Sequence, residues 1–175
     1  YSVPRVAINL SARQCREGGL VATIDRLVSE NGISPQHLEL ELTESVLMEN
    51  TDRVATTLAD LRDRGVQLAI DDFGTGYSSL SYLKRFPIHT LKIDRSFIQD
   101  LVTNSGDVAI IAAIITMAHG LGIRVTAEGV ESEEQLAILR REQCDYFQGC
   151  YLSEAVSAAE IVRSMHLPSS ENQVV

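Results

Sequence analysis

The chain has 175 residues, 45% of them hydrophobic and 22% charged, which is the composition of one soluble globular domain with its own core. Its formal net charge of −9 disfavours a protein that follows nucleic-acid phosphates, so we expect no DNA partner. Its three cysteines are odd in number and irregularly spaced, which argues against a disulfide framework or a zinc pattern. The apolar stretch 108–118 is too short to span a bilayer, so we expect no transmembrane segment and a cytoplasmic location, although other domains of a longer protein could carry an anchor.

Six short runs rich in β-branched and other apolar residues predict strands at 5–10, 38–42, 67–70, 90–93, 124–127 and 144–147. Helical stretches lie between most of them, at 20–30, 52–64 and 108–119. Ser132 with Gln135 and Ser157 with Glu160 each fit a capping box, which predicts two further helix starts. We expect a domain over residues 1–167 and a flexible tail over the polar residues 168–175.

Strands that alternate with helices predict a parallel sheet, which either stays open and doubly wound or closes into a barrel. Polar or charged residues lie at the end of almost every predicted strand: Asn9 and Ser11, Glu41 and Glu44, Asp71 and Asp72, Lys92 and Asp94, Glu128 and Glu131, and Gln148. The carboxyl ends of barrel strands converge on one face, so this pattern favours an α/β fold of the TIM (β/α)8 type. Such a barrel takes about 250 residues, and six strands therefore imply that about two are lacking from this chain.

The most specific motif is the segment 71–80, in which Asp71 and Asp72 end an apolar strand and open a loop that contains Gly74 and Gly76. Two adjacent carboxylates repel each other unless a cation or a proton lies between them. Adjacent strand residues point to opposite sides, but both can face one site where the strand ends and the chain turns. The alternative is a plain turn before a helix that starts near Ser78. Two acidic residues before a glycine are equally typical of such a turn.

Two other predicted strands carry charges that a buried sheet cannot leave unpaired. Glu39 and Glu41 lie on one side of their strand, and the alternative to a site is a solvated acidic edge. Inside a parallel sheet that alternative weakens, because a buried carboxylate needs a metal, a cation or hydrogen bonds. Lys92 and Asp94 share one side of a short strand, and in isolation a structural ion pair is the favoured explanation.

The remaining strand-end residues complete a set of oxygen donors. Glu128 and Glu131 surround Gly129, with a solvated turn as the alternative, and Gln148 ends the last strand. The set holds carboxylates, an amide oxygen and a lysine but no histidine, and the four histidines are expected at the surface. Hard oxygen ligands select Mg²⁺ or Mn²⁺ over zinc. The chemistry implied is metal-assisted hydrolysis, with a phosphoester at a two-metal site as the favoured case.

These motifs, in this order, resemble the EAL domain family of cyclic di-GMP phosphodiesterases. The resemblance rests on six segments, at 9–11, 41–44, 71–78, 92–94, 127–131 and 148–149, and covers nearly the whole chain. It implies a modified TIM barrel whose first two strands are lacking in this chain. It also implies hydrolysis of cyclic di-GMP to linear pGpG in bacterial second-messenger signalling, with two Mg²⁺ or Mn²⁺ ions and a homodimer.

The resemblance further assigns roles to single residues. Five oxygen donors would hold the metals: Asn9, Glu41, Asp71, Asp72 and Glu128. Lys92 would orient or polarise the attacking water, and Glu128 is the second residue expected in catalysis. Glu44 would stabilise the loop that contains Gly74 and Gly76. Three residues would lie on the substrate side: Gln148, Asp94 and Glu131.

Two departures from the family pattern keep a second hypothesis open. The Glu-Ala-Leu motif that names the family does not occur in the chain and is expected upstream of Tyr1, with a further metal ligand. The segment after Gly149 lacks the family's proline. An active phosphodiesterase is favoured because every residue that can be checked is intact, and the alternative is a catalytically inactive cyclic di-GMP receptor or interaction module. The 175-residue chain alone is expected to have little or no activity, because an open barrel exposes strand edges.

Overall fold

The structure is a computed structural model that describes residues 5–16, 18–48, 51–76 and 83–164. The predicted tail at 168–175 and residues 77–80 of the motif at 71–80 lie outside these ranges. Within them, no helix is long and apolar enough to cross a membrane.

Six parallel strands form one sheet in which each strand pairs with the next along the chain. They are β1 Val6–Asn9, β2 Leu38–Thr43, β3 Gln67–Phe73, β4 Thr90–Ile93, β5 Arg124–Glu128 and β6 Tyr146–Gln148. Because every pair is parallel, each connection returns over the outside of the sheet, and all carboxyl ends lie along one rim. The result is a curled half-barrel, which confirms the predicted α/β fold and parallel sheet.

Helices occupy the connections between the strands. They are α1 Ala12–Arg16, α2 Leu20–Asn31, α3 Glu44–Met48, α4 Thr51–Asp63, α5 Ser96–Gln99, α6 Ser105–Gly120, α7 Glu133–Arg141 and α8 Ala158–Ser164, with a short 3-10 turn at Pro35–His37. The predicted capping box at the start of α7 is present in full, since Ser132 Oγ accepts from the Gln135 N–H and Gln135 Oε1 accepts from the Ser132 N–H. At the start of α8, Glu160 Oε2 accepts from the N–H and the hydroxyl of Ser157.

The core lies between the central strands and the helices that cover them. Leu40, Leu42, Leu68, Ile70 and Leu91 on the strands are at most 1% exposed, as strands covered on both faces require. Leu58, Leu61, Ile111 and Leu139 of the helices pack into the same cluster. Burying each side chain of this kind contributes about 1.5–3 kcal/mol, so the central strands are held firmly and can position the groups at their ends.

Two elements begin two or more residues away from their predicted starts. The helix predicted at 108–119 begins at Ser105, because the Asn104 side chain accepts from the Gly106 N–H at 2.9 Å and caps an earlier turn. The strand predicted at 144–147 begins at Tyr146, because the Asp145 carboxylate accepts the Val125 N–H at 2.7 Å where a strand carbonyl would otherwise pair.

One histidine also differs from its predicted position. His89, expected at the surface, is half-buried, and its Nδ1 accepts from the Leu68 N–H at 3.1 Å. Burial is the main cause that lowers the pKa of His89, and the nearby Arg124 and Arg62 lower it further. The ring is therefore a neutral hydrogen-bond acceptor built into the sheet.

Candidate metal centre

Three of the acidic residues predicted at the strand ends meet around one lysine. Lys92 of β4 is 5% exposed, and its Nζ lies 2.7 Å from Glu41 Oε1 of β2 and 2.6 Å from Glu128 Oε1 of β5. Asp71 Oδ1 of β3 is 3.2 Å away. The solvated acidic edge considered for Glu41 is therefore wrong, since Glu41 is 7% exposed and pairs with a buried cation. Glu39, at the other end of β2, pairs instead with Arg5 and with the hydroxyl of Thr90.

The electrostatics of Lys92 and Glu128 follow from this packing. Burial alone lowers the pKa of Lys92, but hydrogen bonds to Glu128 and Glu41 outweigh it and raise that pKa. Burial raises the pKa of Glu128, against the opposing effect of Lys92 and with the support of the negative charge of Asp71. Lys92 is thus a permanent ammonium group, and the carboxylates around it still carry excess negative charge.

A bulge in β3 explains how two adjacent aspartates reach the same place. Ile70 pairs with Leu91 and Phe73 with Ile93, so three steps along β3 match two along β4. The extra residue lies in the Asp71–Asp72 pair, and Asp72 has a φ of 54°, which is rare outside glycine. The carbonyl oxygen of Asp72 accepts from the Thr75 hydroxyl at 2.9 Å and steadies this turn.

Three carboxylates lie close enough together to share a cation. One oxygen each of Asp71, Asp72 and Glu128 lies within 4.8 Å of the others. Asp71 Oδ1 is buried and accepts no hydrogen bond from the described residues, since Lys92 approaches it only as an ion-pair contact. Burial and then the charges of Asp71 and Asp94 raise the pKa of Asp72. Three hard oxygen donors, one of them without a hydrogen bond, fit Mg²⁺ or Mn²⁺.

Asp94 belongs to the neighbouring loop and not to the Lys92 cluster. It accepts the Ser96 N–H at 3.0 Å at the start of α5, and Lys92 pairs with three other carboxylates. Burial alone would raise the pKa of Asp94, but the hydrogen bonds of Ser96 lower it. A simple Lys92–Asp94 ion pair is therefore not what the structure has. Asp94 stays ionised next to Asp72.

The loop that follows β3 is held by close contacts. Gly74 has a φ of 101°, and a Cβ there would lie 2.7 Å from the Phe97 ring of α5. A Cβ on Gly76 would lie 3.3 Å from both carboxylate oxygens of Glu44. Those two oxygens are buried and have no hydrogen-bond partner among the described residues. Glu44 thus lies against this loop, as the predicted loop-stabilising role requires, although that role stays a prediction.

The other predicted site residues lie along the same rim. Asn9 ends β1 in register with Glu41, and its side chain is exposed. Gln148 ends β6 in register with Glu128, and Glu131 is exposed in the loop after β5. The structure brings Glu41, Asp71, Asp72, Lys92 and Glu128 into one cluster and places these three beside it. Their ligand and substrate roles stay predictions.

Two residues that shape this rim were not predicted as part of the site. A Cβ on Gly149 would lie 2.1 Å from the carbonyl oxygen of Val130, so only glycine allows β6 to approach the loop after β5. Gln135 is 6% exposed and hydrogen-bonds to both Glu131 and Ile98. The capping-box pattern identifies Gln135 as a helix-start residue, but no local pattern shows its link to Ile98, 37 positions earlier.

Comparisons with known proteins agree with this geometry. The EAL domain family model matches residues 2–155. The cyclic di-GMP phosphodiesterase NbdA of Pseudomonas aeruginosa is 45% identical over 157 residues, which cover 90% of this chain and 20% of that protein. The PaMucR phosphodiesterase solved as a c-di-GMP complex is 43% identical with a TM-score of 0.85, and the match covers 90% of this chain and 64% of the other. The manganese and cyclic di-GMP complex of BlrP1 from Klebsiella pneumoniae is 35% identical with a TM-score of 0.79, covering 86% and 38%.

The chain spans about a fifth to a quarter of the length of the curated relatives compared with it, between 19% and 25%. Its half-barrel superimposes on solved EAL domains, which confirms the predicted partial TIM barrel. The family match over residues 2–155 includes all six strands and every acidic residue gathered around Lys92. The chain therefore belongs to the EAL domain family.

Proposed function

We propose that this chain is the catalytic region of a metal-dependent phosphodiesterase that hydrolyses cyclic di-GMP to linear pGpG. The observation that carries the proposal is the set of carboxylates from three strands around Lys92, in which a buried Asp71 oxygen accepts no hydrogen bond from the described residues. A relative named for this activity, at 45% identity, supports it. Because the chain is about a fifth as long as such relatives, the activity of the whole protein is part of the proposal.

The donors of the site suit two Mg²⁺ or Mn²⁺ ions. Asp71, Asp72 and Glu128 form the part of the site whose oxygens already lie together, and Glu41 and Asn9 would complete the ligands from β2 and β1. When bound, such ions activate a water and neutralise charge on the phosphoryl oxygens. A chain with a net charge of −9 needs this local reversal of sign to attract a phosphodiester.

The residues of the chain have separable tasks in this proposal. The hydrogen bonds to Glu128 and Glu41 raise the pKa of Lys92, so Lys92 is assigned as a hydrogen-bond donor and a positive charge beside the reacting phosphate. Glu128, whose Oε1 lies 2.6 Å from Lys92 Nζ, is oriented by that contact and is the carboxylate assigned to catalysis. Gln148, Asp94 and Glu131 form the rim on which the substrate would lie, with Glu44 behind the loop of Gly74 and Gly76.

We also propose a homodimer. The outer side of α6 and the turn before it expose Val102 and Ile110, which are 52% and 43% exposed. Ala109 and Ala113 lie on the same exposed side and bring no charge. A second copy is the proposed occupant, because apolar side chains that are exposed together mark protein–protein contacts.

Substitutions on β2 and β4 test the catalytic proposal. Glu41→Gln and Lys92→Met are expected to lower the rate of pGpG formation at least about 100-fold in the protein that carries this chain, as loss of a charge at the reacting centre does. The matched control is Glu39→Gln, two residues away on the same side of β2 but paired with Arg5 and Thr90. Product is measured by chromatography after incubation with cyclic di-GMP and Mn²⁺.

The outcomes of this experiment separate the candidate functions. Full activity of Glu41→Gln or Lys92→Met would contradict the site assignment. A parent protein that binds cyclic di-GMP but forms no pGpG would support the inactive receptor instead. The 175-residue chain tested alone is expected to show little turnover, because the edge strand β1 leaves Val6 and Ile8 60% and 49% exposed.

A further inference from the structure

Gln135 has more hydrogen bonds than a helix start requires. Its Oε1 accepts from the Ser132 N–H at 3.1 Å, which is the capping-box contact, and from the Glu131 N–H at 2.7 Å. Its Nε2 donates to the Ile98 carbonyl at 2.9 Å. The side chain is 6% exposed, so each of these bonds replaces one that water would otherwise make.

The two additional bonds join the loops that flank the Lys92–Glu128 contact. Ile98 belongs to α5, which follows β4 and its Lys92, whereas Glu131 lies in the loop that follows β5 and its Glu128. Lys92 Nζ and Glu128 Oε1, the groups at the ends of these two strands, are 2.6 Å apart. Gln135 is therefore a polar bridge between the two loops that lie next to this pair.

Other contacts fix the rest of the loop after β5. A Cβ on Gly129 would lie 2.6 Å from Cβ of Arg95, so the loop touches the start of α5 there as well. The Val130 N–H donates to the Gln148 carbonyl at 3.0 Å, and the Val130 carbonyl accepts from the Tyr151 N–H at 3.0 Å. Gln135 supplies the remaining anchor, at Glu131. The backbone from Gly129 to Ser132 is thus held at each residue.

We propose that Gln135 is a positioning residue for the metal centre, which sets the loop of Glu128 and Glu131 against the end of β4. The proposal rests on the proposed function. A primary amide suits the position because it accepts two N–H groups and donates to a carbonyl at the same time. The carboxylate of a glutamate at this position would keep the hydrogen-bond acceptor and lose the donor. The thioether of a methionine, which is of similar size, would lose both.

The test compares two variants of Gln135 with a second capping residue. Gln135→Met is expected to weaken Mn²⁺ binding, measured by calorimetry, by about 10-fold or more, as loss of a contact behind metal ligands does. Gln135→Glu is expected to weaken it less, because it can still accept from the Glu131 N–H. The matched control is Glu160→Ala, which removes the equivalent contact to Ser157 at the start of α8, away from the site. It is expected to lower the melting temperature and leave the Mn²⁺ dissociation constant within about twofold.

Melting temperatures without metal are recorded for all four proteins, so that lost folding is distinguished from lost positioning. The proposal is overturned if folded Gln135→Met and Gln135→Glu bind Mn²⁺ within about twofold of the parent, since Gln135 is then only a helix cap like Glu160. If the parent nevertheless binds Mn²⁺ and hydrolyses cyclic di-GMP, the proposed function stands. A parent that does neither overturns both proposals.

Discussion

Lys92 determines the electrostatics of the site at the scale of a single residue. Glu41, Asp71 and Glu128 contribute three negative charges around one ammonium group, so the ionised cluster has a formal charge of −3 + 1, or −2. Asp72 adds a fourth carboxylate next to it, and its pKa is raised mainly by burial. Removing one partner from such a buried group leaves charge uncompensated and costs several kcal/mol. A further cation is the way this cluster reaches neutrality without losing Lys92.

Gly149 is a second residue whose effect is local and large. A Cβ there would meet the carbonyl oxygen of Val130 at 2.1 Å and its nitrogen at 2.3 Å, both of them backbone atoms that cannot rotate away. Gly149→Ala is therefore expected to lower the free energy of unfolding by about 1–3 kcal/mol. For a domain of this size that corresponds to a melting temperature lower by about 2–4 °C per kcal/mol, measurable by circular dichroism.

Gly120 provides the control for that substitution. It is the last residue of α6, and a Cβ there meets nothing within 4 Å. Gly120→Ala is expected to be neutral or to stabilise the protein by about 0.5–1 kcal/mol, because alanine has less conformational freedom to lose than glycine. Equal melting temperatures for Gly149→Ala and Gly120→Ala would show that β6 does not need its close approach to Val130.

At the scale of elements, the strands were predictable and the bulge was not. The short run of β-branched and apolar residues predicts β4 at 90–93, which are its observed bounds. Such a run is typical of a strand buried in a parallel sheet. The sequence also allows Asp71 and Asp72 to face one site, but it does not show the extra residue in β3 that brings this about. Bulges depend on pairing with a neighbouring strand, and no local pattern contains that information. The individual ion pairs of Lys92 were not predicted for the same reason, since its partners lie 21 to 51 positions away along the chain.

His89, the residue before β4, makes the stability of this part of the sheet depend on pH. His89 accepts the Leu68 N–H only while Nδ1 is unprotonated, and burial with the nearby arginines lowers its pKa below the ordinary value of 6.5. A group whose pKa is lower in the folded state gives its full stability above the unfolded pKa. That stability is lost as the pH falls through the folded pKa, so the loss begins below about pH 6.5.

His89→Gln tests this assignment, because glutamine can accept the Leu68 N–H but does not titrate. Between pH 7 and pH 5, the parent is expected to lose more free energy of unfolding than the variant. Urea unfolding at several pH values measures both slopes, and pH 8 supplies the reference at which His89 is neutral in both states. Identical slopes would mean that His89 does not contribute to acid destabilisation.

At the scale of the whole molecule, the sheet topology explains why strand ends predicted the site. Six parallel strands in sequential order have all their carboxyl ends on one rim, so residues far apart in the chain come together without any local signal. The same topology brings many negative charges together at this rim, where they repel one another. The hydrophobic core offsets this repulsion, since strand residues such as Leu42 and Ile93 are fully buried. A cation bound at this rim would therefore be coupled to the stability of the whole half-barrel.

Mn²⁺ is accordingly expected to stabilise the folded chain. An ion that binds only the folded state adds about 2.7 kcal/mol when its concentration is 100 times its dissociation constant. For a domain of this size the melting temperature should rise by roughly 5–10 °C. Asp71→Asn removes one of the three clustered carboxylates and should abolish most of that rise, whereas Asp60→Asn, on the exposed side of α4, should keep it. A parent whose melting temperature does not respond to millimolar Mn²⁺, or an Asp71→Asn variant that responds as the parent does, would contradict a metal centre at this rim.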